Sequence, residues 1–157
     1  MRSTKIGLYL LAVIILQTTI FSRLNFFGVV PDLVLVSVVI FTVLEDQPRA
    51  ILFSAAGGFI QDILSCGGYF NTIVKVTICF LAGLIKESFV GDEYSLAAGL
   101  VALFTPLLFI IEGAVLVYFF GRQVYLPYLL SRLVVVTIYN LVLVPVLFPI
   151  IKGLLDE

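Results

Sequence analysis

Six apolar runs follow one another along the chain with only short connections between them, and this arrangement constrains the fold more than any single motif. The runs cover residues 6–22, 31–44, 48–65, 69–85, 95–120 and 127–151. Crossing a bilayer takes about 20 apolar residues, with about 17 as a practical minimum when tilt and snorkelling help. The runs are largely apolar all round, which suits helices that meet lipid on one side and other helices on the other. Composition agrees: 62% of the residues are hydrophobic and 12% charged, against about half and about a quarter in soluble domains. The expectation is one all-α integral membrane domain over residues 1–157, with six transmembrane helices and almost no mass outside the bilayer.

The segment Met1 to Lys5 followed by an apolar run looks superficially like a signal peptide. The run Ile6 to Ile20 is long for such a segment and has no small-x-small cleavage site, so it reads as a retained first span. Pro31 reads as the first residue of the second helix, with Asp32 in its favourable first turn. Gly67 and Gly68 supply stop chemistry between the third and fourth helices. Pro106, Pro145 and Pro149 predict bends in the last two. Six spans put both termini on one side. Placing them in the cytoplasm leaves Arg2, Lys5, Arg49, Lys86 and Lys152 inside and Arg23, Arg122 and Arg132 outside, a modest positive-inside bias. If segments two and three form a re-entrant hairpin instead, the depths of Asp32 and Asp62 change.

The net charge of −1, with scattered basic residues, leaves no patch able to neutralise a run of phosphates, so nucleic acid is excluded. Cys66 and Cys79 suggest neither a disulfide framework nor a thiolate site. With no histidine the commonest metal ligand and general base is missing, and no HExxH, GxSxG or Walker sequence is present. No catalytic residue, metal or cofactor is expected. Two apposed carboxylates could make an aspartyl intramembrane protease, but Asp32 and Asp62 are read as lying in opposite halves of the bilayer.

Ionisable groups inside a membrane cost at least about 2.5–3.5 kcal/mol each on insertion scales, so each needs an explanation. Asp62 lies one turn before the end of the third helix, where the helix dipole disfavours an anion, and so requires a specific partner. Lys75 is the obvious one: the two differ in depth by roughly 4 Å, which a lysine stem can span. Such a pair either fixes the hairpin or belongs to a ligand or partner site. Glu112 and Arg132 repeat the pattern across the last two helices. Snorkelling accounts for Arg132, which leaves Glu112 either protonated or paired in the bundle. Asp32 reads as ordinary capping chemistry.

The small residues Ser54, Ala55, Ala56, Gly57 and Gly58 would let a neighbouring helix approach closely. Tyr118, Phe119, Phe120, Tyr125 and Tyr128 gather around the last connection, as interfacial aromatics or as a ledge for a partner.

The succession Gln17-Thr18-Thr19, then Gly28-Val29-Val30-Pro31-Asp32-Leu33-Val34-Leu35, then Gly57-Gly58-Phe59-Ile60-Gln61-Asp62-Ile63-Leu64 resembles the MreD family of bacterial rod shape-determining membrane proteins. The likeness covers most of the chain, and Phe59 stands where the family pattern often has leucine. It implies a non-enzymatic component of the complex that builds lateral cell wall in the cytoplasmic (inner) membrane. Its implied partner is MreC, with RodA, a class B penicillin-binding protein and MreB reached indirectly, and with membrane lipid around it. Pro31, Asp32, Gly57, Gly58 and Asp62 are the family-like positions; Lys75, Glu112 and Arg132 join them as partner-binding or ligand-binding candidates. The family is also similar in its six-helix arrangement to the substrate-binding subunits of energy-coupling-factor transporters. That likeness supplies a rival reading, a small-molecule or lipid-binding subunit of a transporter. A proton-coupled carrier dependent on Glu112 is a third.

Overall fold

In the computed structural model the described residues are 2–21, 23, 28–65, 69–121 and 126–156. Expectations attached to Cys66, Gly67, Gly68, Arg122 and Tyr125, and to the side chains of Arg2, Phe119 and Phe120, lie outside the described residues. Six α-helices account for nearly all of the rest: α1 (Arg2–Leu16), extended by a π-helical turn over Gln17–Phe21, then α2 (Leu33–Leu44), α3 (Gln47–Ser65), α4 (Phe70–Ser88), α5 (Glu93–Phe120) and α6 (Leu126–Asp156). Each apolar run thus becomes one helix, with ends displaced by at most a few residues. Three helical stretches are long and apolar enough to cross a membrane on those grounds alone: Ser3–Phe21, Glu93–Val115 and Pro127–Asp156. α5 and α6 continue through Pro106, Pro145 and Pro149 without interruption.

α2 is the shortest of the six helices. Its 12 residues rise about 18 Å, well short of a hydrocarbon core of about 30 Å. Every side chain from Leu33 to Val43 is buried, and α2 touches all five other helices. It is the central post of the bundle. A sequence apolar on every face suits a helix with no lipid-facing side, and β-branched packing by Val34, Val36, Val38, Val39 and Ile40 fills the space around it. The helix also begins later than expected: Pro31 precedes it and Asp32 is its N-cap, not a first-turn residue.

A helix buried at both ends must satisfy its terminal backbone groups internally. At the C-terminal end Lys86 of α4 donates from Nζ to the carbonyls of Thr42 (3.2 Å) and Glu45 (2.8 Å). At the N-terminal end the acceptors come from three separate elements and form the site described below.

The small block of α3 faces inward. Gly57 lies against Val34 and Leu10, where an added Cβ would meet side-chain atoms at 3.1 and 3.3 Å. Gly58 lies against the α4 backbone, where a Cβ would come within 2.6 Å of the Thr72 Cα and 2.8 Å of the Asn71 carbonyl oxygen. Backbone at that distance cannot yield locally, so α4 would have to move. Gly58→Ala is therefore expected to destabilise by about 1–3 kcal/mol, read from unfolding in mixed micelles at increasing SDS fraction. Gly99→Ala is the control, since a Cβ there meets nothing within 4 Å, and it should gain up to about 1 kcal/mol from helix propensity. Equal losses at the two positions would sink this account.

Candidate functional site

The N-terminus of α2 opens inside the bundle, and the polar side chains of the membrane interior converge there. Asp32 caps its own helix, Oδ1 accepting from the Leu35 amide at 2.9 Å. Gln17, from the π-helical turn after α1, accepts from the Val34 amide through Oε1 at 3.1 Å. Asn140 of α6 accepts from the Asp32 amide through Oδ1 at 2.9 Å, while its Nδ2 donates to Thr105 of α5 at 3.1 Å. Three helices therefore supply acceptors or anchoring to the start of a fourth. Each bond replaces water that a buried terminus lacks.

The remaining Asp32 oxygen, Oδ2, accepts from the Nζ of Lys75 at 3.1 Å. Lys75 side-chain exposure is 1% and that of Asp32 is 20%, so this is a nearly buried ion pair between α2 and α4. Lys75 donates a second bond to Asn71 Oδ1 at 3.3 Å. The expected partner of Lys75 was Asp62, and the structure corrects this. Asp62 accepts four hydrogen bonds at the start of α4. Oδ1 takes the Asn71 amide (2.9 Å) and Asn71 Nδ2 (3.1 Å); Oδ2 takes the Thr72 amide (2.8 Å) and Thr72 Oγ1 (2.6 Å). Tyr69, at the cap position of α4, makes no side-chain capping bond, so Asp62 supplies the cap from the neighbouring helix. An anion at the C-terminal end of α3 is stabilised by the N-terminal end of α4, where free N–H groups and the helix dipole both favour it.

Asp32 and Asp62 are likewise not in opposite halves. Lys75 and Asn71 link them in one network, as an antiparallel chain trace requires: α2 starts and α3 finishes at the same end of the bundle. Their separation therefore cannot be the argument against paired-carboxylate catalysis. Their partners bear on it instead: Asp62 is engaged by four donors and Asp32 by a lysine and a backbone amide.

Glu112 and Arg132 line one cavity of about 250 Å³ with Asp32, Thr105 and Asn140. They make no ion pair with each other. Arg132 lies over the ring of Tyr128, 5.2 Å from its centroid, and its buried Nε has no hydrogen-bond partner among the described residues. Gly28, in the left-handed region at φ 76°, lets the loop before α2 pass this pair, since a Cβ there would sit 3.1 Å from the Tyr128 hydroxyl. A second cleft, of about 500 Å³, shares Val30, Asp32 and Glu112 with the first and reaches Gln17, Gln61 and Asn71. Among the described residues no group of His, Cys, Asp and Glu could hold a metal ion.

Sequence reasoning named Asp32, Asp62, Lys75, Glu112 and Arg132 but missed Asn140 and Asn71 as their organisers. Asn140 carried a readable signal, a lone amide inside the apolar run of α6. Pro31 borders the larger cleft, while Gly57 and Gly58 serve helix packing.

No curated relative and no solved structure matches the chain. One family model does, described as rod shape-determining protein MreD, over residues 3–157. Essentially the whole chain is covered, the apolar helices suit a membrane protein, and the chain belongs to the MreD family of rod shape-determining proteins.

Proposed function

We propose that this protein is a non-enzymatic membrane component of the bacterial wall-elongation complex, binding MreC and helping to position peptidoglycan synthesis. The family match over residues 3–157 carries the reading. The geometry supports it in two ways. The polar side chains of the membrane interior mostly hold helix termini and helix pairs together, as a scaffold needs. Large apolar side chains on the outer faces, among them Leu52, Ile73, Val134 and Val142, remain exposed and offer flanks for partner helices as well as lipid. RodA, a class B penicillin-binding protein and MreB would be reached through MreC, in the cytoplasmic membrane with both termini on the cytoplasmic side.

The test is purification of the tagged chain from native membranes in mild detergent, with mass spectrometry of what stays bound. MreC with wall-synthesis enzymes is the expected recovery. The clefts beside Asp32 and Glu112 favour one other reading, the small-molecule subunit of a transporter like those of the energy-coupling-factor class. Recovery of an energising transmembrane subunit with paired ATPases, and no MreC, would establish that reading and overturn the first.

A further inference from the structure

Glu112 and Arg132 lie close to one depth. The Thr105–Asn140 bond sets the register of α5 against α6, and from it Glu112 and Arg132 are each displaced about 10–12 Å toward the α5–α6 connection. Measured from Glu93, at the other end of α5, Glu112 lies about 28 Å along the helix. That distance is comparable to the thickness of a hydrocarbon core, which puts both charges toward the α5–α6 connection end of the bundle.

There they stand apart. One carboxylate and one guanidinium share a cavity without pairing, and the buried Nε of Arg132 lacks an acceptor among the described residues. The larger cleft that Glu112 also borders holds a further such group: Gln61, 9% exposed, has a buried Oε1 with no donor among the described residues. The free donor is thus on the α6 side and the free acceptors on the α3 and α5 side. Arg132 also lines a groove of about 290 Å³ along α6 with Tyr128, Ser131 and Val135.

We infer that this cleft binds the headgroup of a phospholipid carrying a primary ammonium, with its phosphodiester on Arg132, its ammonium on Glu112 and Gln61, and its glycerol end in the α6 groove. A guanidinium suits a phosphate. A primary ammonium brings a positive charge into contact with Glu112, which makes no ion pair of its own among the described residues, and an N–H for Gln61 Oε1. A choline headgroup has the charge but no N–H, and a glycerol headgroup brings no positive charge to Glu112. The shared chemistry is an O-phosphoryl amine, and the lipid is favoured over a soluble source because Glu112 and Arg132 lie on the two helical stretches, Glu93–Val115 and Pro127–Asp156, that are long and apolar enough to cross a membrane.

The test exchanges the purified protein between mixed micelles containing dioleoyl phosphatidylethanolamine, phosphatidylcholine or phosphatidylglycerol and reads retained lipid by native mass spectrometry. Phosphatidylethanolamine is expected to be retained about tenfold over each of the others, the scale of one charge-assisted hydrogen bond. Glu112→Gln should reduce that preference to about twofold or less, and Arg132→Gln should lower retention of all three lipids. Val135→Trp fills the groove without replacing a charged residue and should also release the lipid. Each variant is compared only after its helicity and gel-filtration profile match the parent. Equal retention of the three lipids by the parent protein, or an undiminished preference in Glu112→Gln, overturns the proposal. Displacement of the lipid by soluble phosphoethanolamine at equal concentration overturns the lipid as the source.

Discussion

Replacing Lys75 with methionine is expected to cost about 3–5 kcal/mol of stability, because it strands the Asp32 carboxylate inside the bundle without its counter-charge. Methionine keeps most of the volume of the lysine stem, so the loss reports charge and not a cavity. The pair spans α2 and α4 at 3.1 Å, and Lys75 is among the most enclosed side chains of the protein. The double variant Asp32→Asn with Lys75→Met should recover much of that loss, since asparagine can still accept from the Leu35 amide and no unpaired charge remains. The charge swap Asp32→Lys with Lys75→Asp should not recover it, because a lysine at the N-cap cannot accept from Leu35. Unfolding in mixed micelles at increasing SDS fraction measures all four proteins. A Lys75→Met variant as stable as the parent, or a double variant no better than the single, would show that the pair does not hold α2 in place.

This ion pair shows where sequence reading succeeded and where it stopped. Helix positions were legible because a bilayer demands long apolar runs, and each run became one helix. Partner choice was not, because spacing from a turn gives a residue its depth and says little about its direction around the helix axis. Asp62 and Lys75 lie at compatible depths, yet Lys75 turns toward α2 and Asp62 meets the first turn of its own hairpin partner. A search for opposite charge overlooked the other stabiliser of a carboxylate, a helix N-terminus with free amides. Lys86, counted in the sequence only toward the positive-inside bias, likewise holds the carbonyls at the end of α2.

The enclosure of α2 was partly written in its composition. Its run is the shortest of the six and is apolar on every face, two properties that together argue for a helix surrounded by protein and not by lipid. What composition could not say is how its start is satisfied. That required Gln17, Asn140 and Asp32 to meet from three distant parts of the chain, and Val34–Gln17 and Asp32–Asn140 bonds are products of packing, not of local sequence. Gln17 drew notice only through family likeness, and its physical role is to accept from an amide of the central helix.

Asp62→Ala is expected to lower stability by about 3–5 kcal/mol, since it removes a cap and leaves two amides at the start of α4 without acceptors, each worth about 1–3 kcal/mol when buried. Asp62→Asn should lie between alanine and the parent. Its remaining oxygen serves one pair of donors, while its amide group faces the N–H and hydroxyl donors of the other. Thr72→Val, which deletes only one side-chain donor, should cost less than either. Hydrogen exchange resolved to single residues provides the sharper reading. The amides of Asn71 and Thr72 should lose roughly a hundredfold protection in Asp62→Ala, while those in the middle of α2 keep more of theirs. If Asn71 and Thr72 stay protected, the cap is supplied elsewhere and the account of Asp62 fails. The consequence should reach beyond α4, because the helix that Asp62 anchors also carries Lys75. Fraying its first turn would displace Asn71, which accepts the second bond from Lys75 Nζ. The effects of Asp62→Ala and Lys75→Met should therefore fall short of additivity, since either change releases the same contact between α2 and α4.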